Sequence, residues 1–426
     1  MIELEQKNIR LGSVLSYSIL LGPLLGQYAS FIQGVSLADL LLIISTCLII
    51  FFNSRYIIKL NKVKPVLILW FFGIIISILS FLLQRKFNIL ILTRMLRFSF
   101  YLLLIVVCAD NLNKRILFNA YKKLVVIISV YIILQFIIFK ISGILLPFKL
   151  LPFPWMDGRL YNTEQAIQWA NVFYLRPSGF FVEPAYAAQY ILPGLVFSLY
   201  GWESNSIKKT NILSSLLVLI SLFLTNSSTA IVISVIVIIL YLLKRIRQSK
   251  RNMDIVRNII IVLFIIVTFM FFLYSKLYIR TISYIIGNIK VGGSTALRVF
   301  RGFAVFLKLP ILFKIIGVGH GNLGTYVINN NITTIYDSTS NTLMAADYVN
   351  ATSASLLYYG VVGFIVYLNI FIYLFINTKG QFRMLTIVLF MLSCISSIFF
   401  DTTMLFYMSL IYIGYESRKK RIVKIF

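Results

Sequence analysis

Three short stretches carry the residues with the most chemical potential. From Tyr174 to Gln189 the chain reads YLRPSGFFVEPAYAAQ, which sets Arg176 and Glu183 on either side of a Pro/Gly turn just before an apolar run. Pro184 suits the first turn of a helix, with Glu183 at its N-cap beside the positive dipole end. The carboxylate is then either a plain helix cap or a group able to accept a proton. From Ser294 to Lys314 the chain reads STALRVFRGFAVFLKLPILFK, and Arg298, Arg301, Lys308 and Lys314 recur mainly at spacings of three, four or seven. On one continuous helix such spacing draws the bases toward one side, giving a segment able to lie on a membrane surface. It runs into Gly317-Val-Gly319-His320-Gly321-Asn322, where backbone N–H groups can approach an anion closely. The third stretch is Thr93-Arg94-Met-Leu-Arg97, two guanidinium groups on one helical face near the end of an apolar run. They either snorkel to the interface or donate, in the planar bidentate way of arginine, to phosphate oxygens.

These stretches need elements to hold them, and the composition says which. Of 426 residues 60% are hydrophobic and only 12% charged, more apolar mass than a water-soluble core requires. The chain is expected to be an all-α polytopic integral membrane protein. A crossing helix needs about 20 apolar residues. Runs of that order recur near 11–32, 37–54, 65–83, 91–109, 124–141, 185–201, 211–225, 228–243, 258–275, 352–376, 382–400 and 402–415, about twelve spans forming one membrane domain over 1–426. The acidic start, Met1-Ile-Glu3-Leu-Glu5, leads into the first run without a small-residue cleavage site, so that span is expected to be a retained anchor.

The net charge of +27 is distributed as short basic clusters between apolar runs, which is the pattern of orientation signals and not of nucleic-acid binding. Arg55/Lys59/Lys62/Lys64, Lys114/Arg115/Lys122/Lys123, Lys208/Lys209, Lys244/Arg245/Arg247/Lys250/Arg251 and Arg418/Lys419/Lys420/Arg421 fall on one side when both termini are cytoplasmic. The turn holding Arg85 and Lys86 departs from that rule. Two long connections, about 142–184 and 276–351, then lie outside the cell membrane, and long insertions of this kind are where function concentrates. Cys47, Cys108 and Cys394 sit in apolar runs and His320 is the single histidine, so neither a disulfide, a metal site nor a cofactor is expected. Asp110 and Asp401 read as solvated ends of spans.

The pattern resembles the bacterial O-antigen and capsule polymerases (Wzy type), within the superfamily that includes the O-antigen ligases. Arg176 through Gln189 is similar to that family's Arg-x-x-Gly-x-Phe-x-Glu/Asn-Pro segment. Arg298 through Asn322 is similar to its arginine-bearing helix ending in Gly-x-Gly-x-Gly, and Asn350, Leu356/Leu357, Gly360 and Gly363 are similar to its closing stretch. Ligases carry a His immediately before the Asn of that closing stretch, where this chain has Val349.

The resemblance implies a metal-independent glycosyltransferase on the outer face of the plasma membrane. It would join undecaprenyl-diphosphate-linked oligosaccharide repeats into O-antigen (lipopolysaccharide), capsule or exopolysaccharide. Glu183 or His320 would act on the proton. Arg176, Arg298 and Arg301, with Arg94, Arg97, Tyr186 and Asn350, would bind diphosphate and glycan. Partners would be the lipid-linked oligosaccharide, the bilayer, and a chain-length regulator and flippase of the same pathway. The competing readings are an O-antigen ligase and a flippase or other transporter of lipid-linked sugar.

The orientation predicts that cysteines placed at Asn162 and Asn330 react with an impermeant thiol reagent in intact cells while one at Ser249 does not. Labelling at Ser249 would reverse the assignment.

Overall fold

The computed structural model describes residues 2–32, 34–52, 60–84, 89–156, 175–202, 212–248, 297–334 and 349–415. The elements are α1 (Ile2–Leu25), α2 (Leu37–Phe52), α3 (Leu60–Gln84), α4 (Ile89–Asn111), α5 (Lys114–Ser142), α6 (Pro184–Tyr200), α7 (Ile212–Leu224), α8 (Ser228–Gln248), a π-helical turn (Leu297–Arg301), α9 (Gly302–Lys308), α10 (Ile311–Ile316), α11 (Leu323–Asn329), α12 (Ala351–Asn377), α13 (Gly380–Ile395) and α14 (Thr402–Ile413). The described residues contain no strand, only isolated bridges joining Tyr28 to Trp155 and Ala29 to Ser36.

Five helical stretches are long and apolar enough to cross a membrane: Leu60–Leu83, Leu92–Asn111, Lys114–Ser142, Ser228–Arg245 and Ala351–Asn377. Five other apolar helices are shorter, at 10–17 residues, and the expected span 258–275 lies outside the described residues. The shortness has structural causes. α1 stops at Leu25 and not near 32, because the following backbone turns to pair with the segment after α5: Ala29 donates to the Pro154 carbonyl and Met156 to the Gln27 carbonyl, both at 2.8 Å. α14 is 12 residues long and buried from Thr403 to Ile413, and α6 is buried from Ala187 to Ser198. These two helices form the axis of the bundle, screened from surroundings by their neighbours.

Two breaks shape that bundle. Pro193 lies inside α6 and has no N–H for the Gln189 carbonyl four residues back; the Tyr407 hydroxyl of α14 donates to that oxygen at 2.7 Å. The second break is in α12, where Gly360 adopts φ 65°, ψ −170°. The Leu357 and Tyr358 carbonyls just before it accept from the Val318 and Gly319 amides, at 2.9 and 3.0 Å. The glycine-rich segment therefore docks into the broken helix as a short backbone ladder.

Hydrogen bonds sort the helix termini into two ends. At one, Lys62 at the start of α3 pairs with Asp110 at the end of α4, Lys114 of α5 donates to the Ile413 carbonyl of α14, and Tyr373 of α12 meets Tyr415. Asp110 is thus half of an ion pair with its side chain 10% exposed, and not the solvated end expected. At the other, Val182 before α6 donates to Gln27, Ala351 of α12 to Ser396 after α13, and Arg94 of α4 to Gly321. All nine candidate residues gather here, at the Glu183 end.

A Cβ on Gly360 would lie 2.0 Å from the Ile315 carbonyl oxygen, in a backbone region that side chains avoid. Gly360→Ala should therefore cost at least about 3 kcal/mol and drop the melting temperature in detergent sharply. Gly380→Ala, at φ 55° with open space around it, should cost only about 1–2 kcal/mol. Equal losses at the two positions would refute the ladder.

Candidate active site at the Glu183 end

The turn before α6 is held from two sides. The Gln135 side chain of α5 grips Gly179, accepting from its N–H at 2.9 Å and donating to its carbonyl at 3.1 Å; Gly179 has φ 62° and packs against Ile128 and Ile132. Gln27 accepts from the Val182 N–H, and Phe181 is fully buried. This fixes Glu183 as the N-cap of α6 with extended backbone, followed by Pro184, as the sequence predicts. Its carboxylate makes no capping hydrogen bond, so the plain helix-cap alternative is not the geometry adopted. Glu183 is half-buried and Tyr186, one turn on, is exposed. Arg176 is exposed, and its Nε donates to the Thr225 carbonyl beyond α7 at 3.3 Å.

The second stretch departs from expectation. Arg298 through Lys314 is not one continuous helix: a π turn, α9 and α10 follow one another, with Leu309-Pro310 between the last two. The bases therefore do not share a face. Arg301 is only 2% exposed, Arg298 is half-buried and Lys308 is exposed. Gly302 explains the close seat of this turn, since a Cβ there would lie 2.0 Å from the Ser353 hydroxyl.

Asn350 locks the turn from below. Its Nδ2 donates to the Arg298 and Val299 carbonyls at 2.8 and 3.1 Å, and its Oδ1 accepts from the Ser353 N–H at 2.7 Å as the N-cap of α12. Both ends of the amide serve the fold, which makes Asn350 a positioning residue for Arg298 where glycan contact was expected. Ser396 ties this assembly to α6, because its carbonyl accepts from Ala351 and its hydroxyl from the Gln189 side chain at 3.0 Å. Nothing in the sequence singled out Gln135 or Ser396.

His320 sits on the glycine-rich ladder, within 4.7 Å of the Phe98 ring and 4.9 Å of Tyr358, with Nδ1 3.2 Å from the Tyr359 hydroxyl. Burial among these rings, and next the Arg94 cation, push its pKa down to about 3. A neutral, weakly basic imidazole is the consequence. The expected anion cradle is also not built: the amides of Gly317, Val318, Gly319, His320 and Asn322 donate to Phe313, Leu357, Tyr358, Ser77 and Gly319 respectively. Arg94 holds the same segment through the Gly321 carbonyl at 2.9 Å.

Arg97 belongs to a different group. Its Nη2 is 3.3 Å from Asp39, which also accepts from the Tyr101 hydroxyl and from the Ser36 N–H and hydroxyl. Ser36 in turn accepts from the Asp39 N–H, a reciprocal capping box at the start of α2 whose Ser-x-x-Asp spacing is visible in the sequence but was not singled out. Asp401 is the N-cap of α14, accepting from Met404 N–H at 2.8 Å, and burial pushes its carboxyl up to about 6. It is therefore no solvated end.

No protein-family model matches this chain, and no curated protein matches it at a significant level.

His320 and Asp401 should tilt stability in opposite directions with pH. A histidine depressed below 6.5 stabilises the fold above that value, and this contribution drains away as pH falls toward 3. A carboxyl raised from 3.8 to about 6 contributes below 3.8 and loses its effect as pH rises through 6. Melting temperatures across this window should flatten on the acid side in His320→Asn and slope more steeply upward with pH than the wild type in Asp401→Asn, which keeps a neutral cap and removes the titration. Wild-type acid sensitivity in His320→Asn would disprove the burial argument.

Proposed function

We propose that the protein is a polysaccharide polymerase acting on polyprenyl-diphosphate-linked oligosaccharides, with its chemistry at the Glu183 end. The observation that supports the reading is that Arg94, Arg97, Arg176, Arg298 and Arg301, from three separated stretches, lie at the same end of the bundle as Glu183, whose carboxylate makes no capping hydrogen bond. In the reaction, a hydroxyl at the non-reducing end of one lipid-linked repeat attacks the anomeric carbon of the growing glycan. The new C–O bond forms as the bond to the diphosphate oxygen breaks. Glu183 takes the hydroxyl proton, and arginine neutralises the charge that develops on the departing diphosphate.

Within that reading the residues differ in fitness. Arg176 is exposed, with its Nε donating to the Thr225 carbonyl, whereas Arg97 is 50% exposed with Asp39 at 3.3 Å and Arg94 braces the glycine-rich segment. Arg176 and Arg298 are the favoured diphosphate binders, and Glu183 is favoured over the weakly basic His320. Val349, at the place where ligases carry a histidine, is 4% exposed and packs among Val305, Leu309 and Leu357, which supports polymerase over ligase. The same reading holds about twelve spans, both termini cytoplasmic and two external connections at the Glu183 end, consistent with Lys62, Lys114, Lys122, Lys244 and Arg383 at the opposite end.

A second reading, transport of a lipid-linked sugar, draws on the break in α12, since interrupted helices with exposed carbonyls line transporter sites. Against it, the Leu357 and Tyr358 carbonyls are occupied by Val318 and Gly319.

Glu183→Gln keeps the shape and removes the proton acceptor. It should leave protein abundance normal while single repeat units accumulate on lipid, with polymer yield down about 100-fold or more. Arg176→Lys should retain charge yet lose much of the activity. Full-length polymer from Glu183→Gln would sink the assignment, and lipid-linked repeat units stranded on the cytoplasmic face in Glu183→Gln would favour transport.

A further inference from the structure

The opposite end of the bundle contains a basic cluster built differently from its neighbours. Three bases at that end have hydrogen-bonding partners within the protein: Lys62 pairs with Asp110, Lys114 donates to the Ile413 carbonyl, and Arg383 to the Phe375 and Thr378 carbonyls. Lys122, Lys244 and Arg245 make no ion pair among the described residues. They rest on aromatic rings instead. Lys122 of α5 lies 5.9 Å from the centre of Trp202, Lys244 of α8 lies 4.9 Å from Tyr200, and Arg245 lies 5.4 Å from Tyr241 while its Nε donates to that hydroxyl at 3.0 Å.

The rings lie in two pairs at the end of α6. Tyr200 and Tyr241 are 5.3 Å apart, and Trp202, two residues past Tyr200, stacks on Phe197 at 5.3 Å. Cation–π contact offsets part of the mutual repulsion of three bases, and neither lysine ammonium donates a hydrogen bond among the described residues. The buried indole N–H of Trp202 also meets no acceptor among the described residues. Three cations and one orphaned donor beside these rings are the complement of a phosphate group.

We propose that Lys122, Lys244, Arg245 and the Trp202 Nε1–H bind the phosphate of an anionic phospholipid in the leaflet at this end. The position favours a lipid over free phosphate. On α8 the residues just before the bases, Ile239 and Leu243, are 47% and 51% exposed, and on α5 Ile127, just after Lys122, is 54% exposed. Acyl chains lying against these side chains bring a headgroup to the level of the bases. The site is independent of whichever reaction runs at the Glu183 end.

The test uses the full chain in nanodiscs of phosphatidylcholine with increasing phosphatidylglycerol, reading retained lipid by native mass spectrometry and thermal stability in parallel. The wild type should retain phosphatidylglycerol over phosphatidylcholine and gain stability from it, and added salt should weaken both effects. A Lys122→Gln/Lys244→Gln/Arg245→Gln variant should lose about tenfold or more in that preference, while Arg115→Gln/Lys123→Gln keeps it. If the triple variant fails to fold, Trp202→Phe, which keeps an aromatic ring under Lys122 and removes the N–H, should still reduce the preference. Undiminished preference in either variant, or a wild-type preference insensitive to salt, overturns the proposal. Equal stabilisation by inorganic phosphate in phosphatidylcholine discs would overturn the lipid assignment.

Discussion

An apolar surrounding offers no water to a backbone carbonyl that loses its helical partner, so each break in a buried helix has to be met by a donor from elsewhere in the chain. That constraint organises this protein. Pro193 strips α6 of one hydrogen bond and Tyr407 supplies the missing donor across the axis of the bundle. Gly360 interrupts α12, and the amides of Val318 and Gly319 fill the gap. The second repair positions chemistry as well as satisfying the backbone. It anchors the segment that carries His320, and through α10 and α9 it leads back to the turn holding Arg298 and Arg301.

Charge follows the same economy. Lys62 with Asp110 and Arg97 with Asp39 are placed where one partner is largely buried, and each draws further hydrogen bonds from neighbouring groups. A buried carboxylate left alone would be costly, and Asp401 shows the consequence in its raised pKa. Arginines that spend their donors inside the fold act as braces. Arg97, beside Asp39, and Arg94, donating to the Gly321 carbonyl, are arginines of this kind.

Asn350 and His320 illustrate how a motif can be right in place and different in role. Asn350 lies where the resemblance puts it, yet its amide is consumed by the Arg298 turn and the start of α12. His320 lies at the end of the arginine-bearing stretch, yet the aromatic rings around it keep the imidazole neutral. Both residues support the arrangement of the charged groups, and in the proposed reaction the proton-accepting role falls to Glu183.

The sequence by itself determined the helical class, the apolar segments, and the start of α6 with Glu183 at its cap and Pro184 behind it, because hydropathy, proline geometry and capping act over a few residues. The capping box of Ser36 and Asp39 was legible on the same grounds. Only the tertiary structure decided that Arg298 to Lys314 breaks into three pieces, that α14 can be 12 residues long in the middle of the bundle, and which arginines are braced. Those outcomes rest on partners remote in the chain: Arg94 with Gly321, Arg97 with Asp39, Asn350 with Arg298, Gln189 with Ser396. Burial and pairing set the state of a charged group, and no local pattern of residue types records which distant group will come to face it.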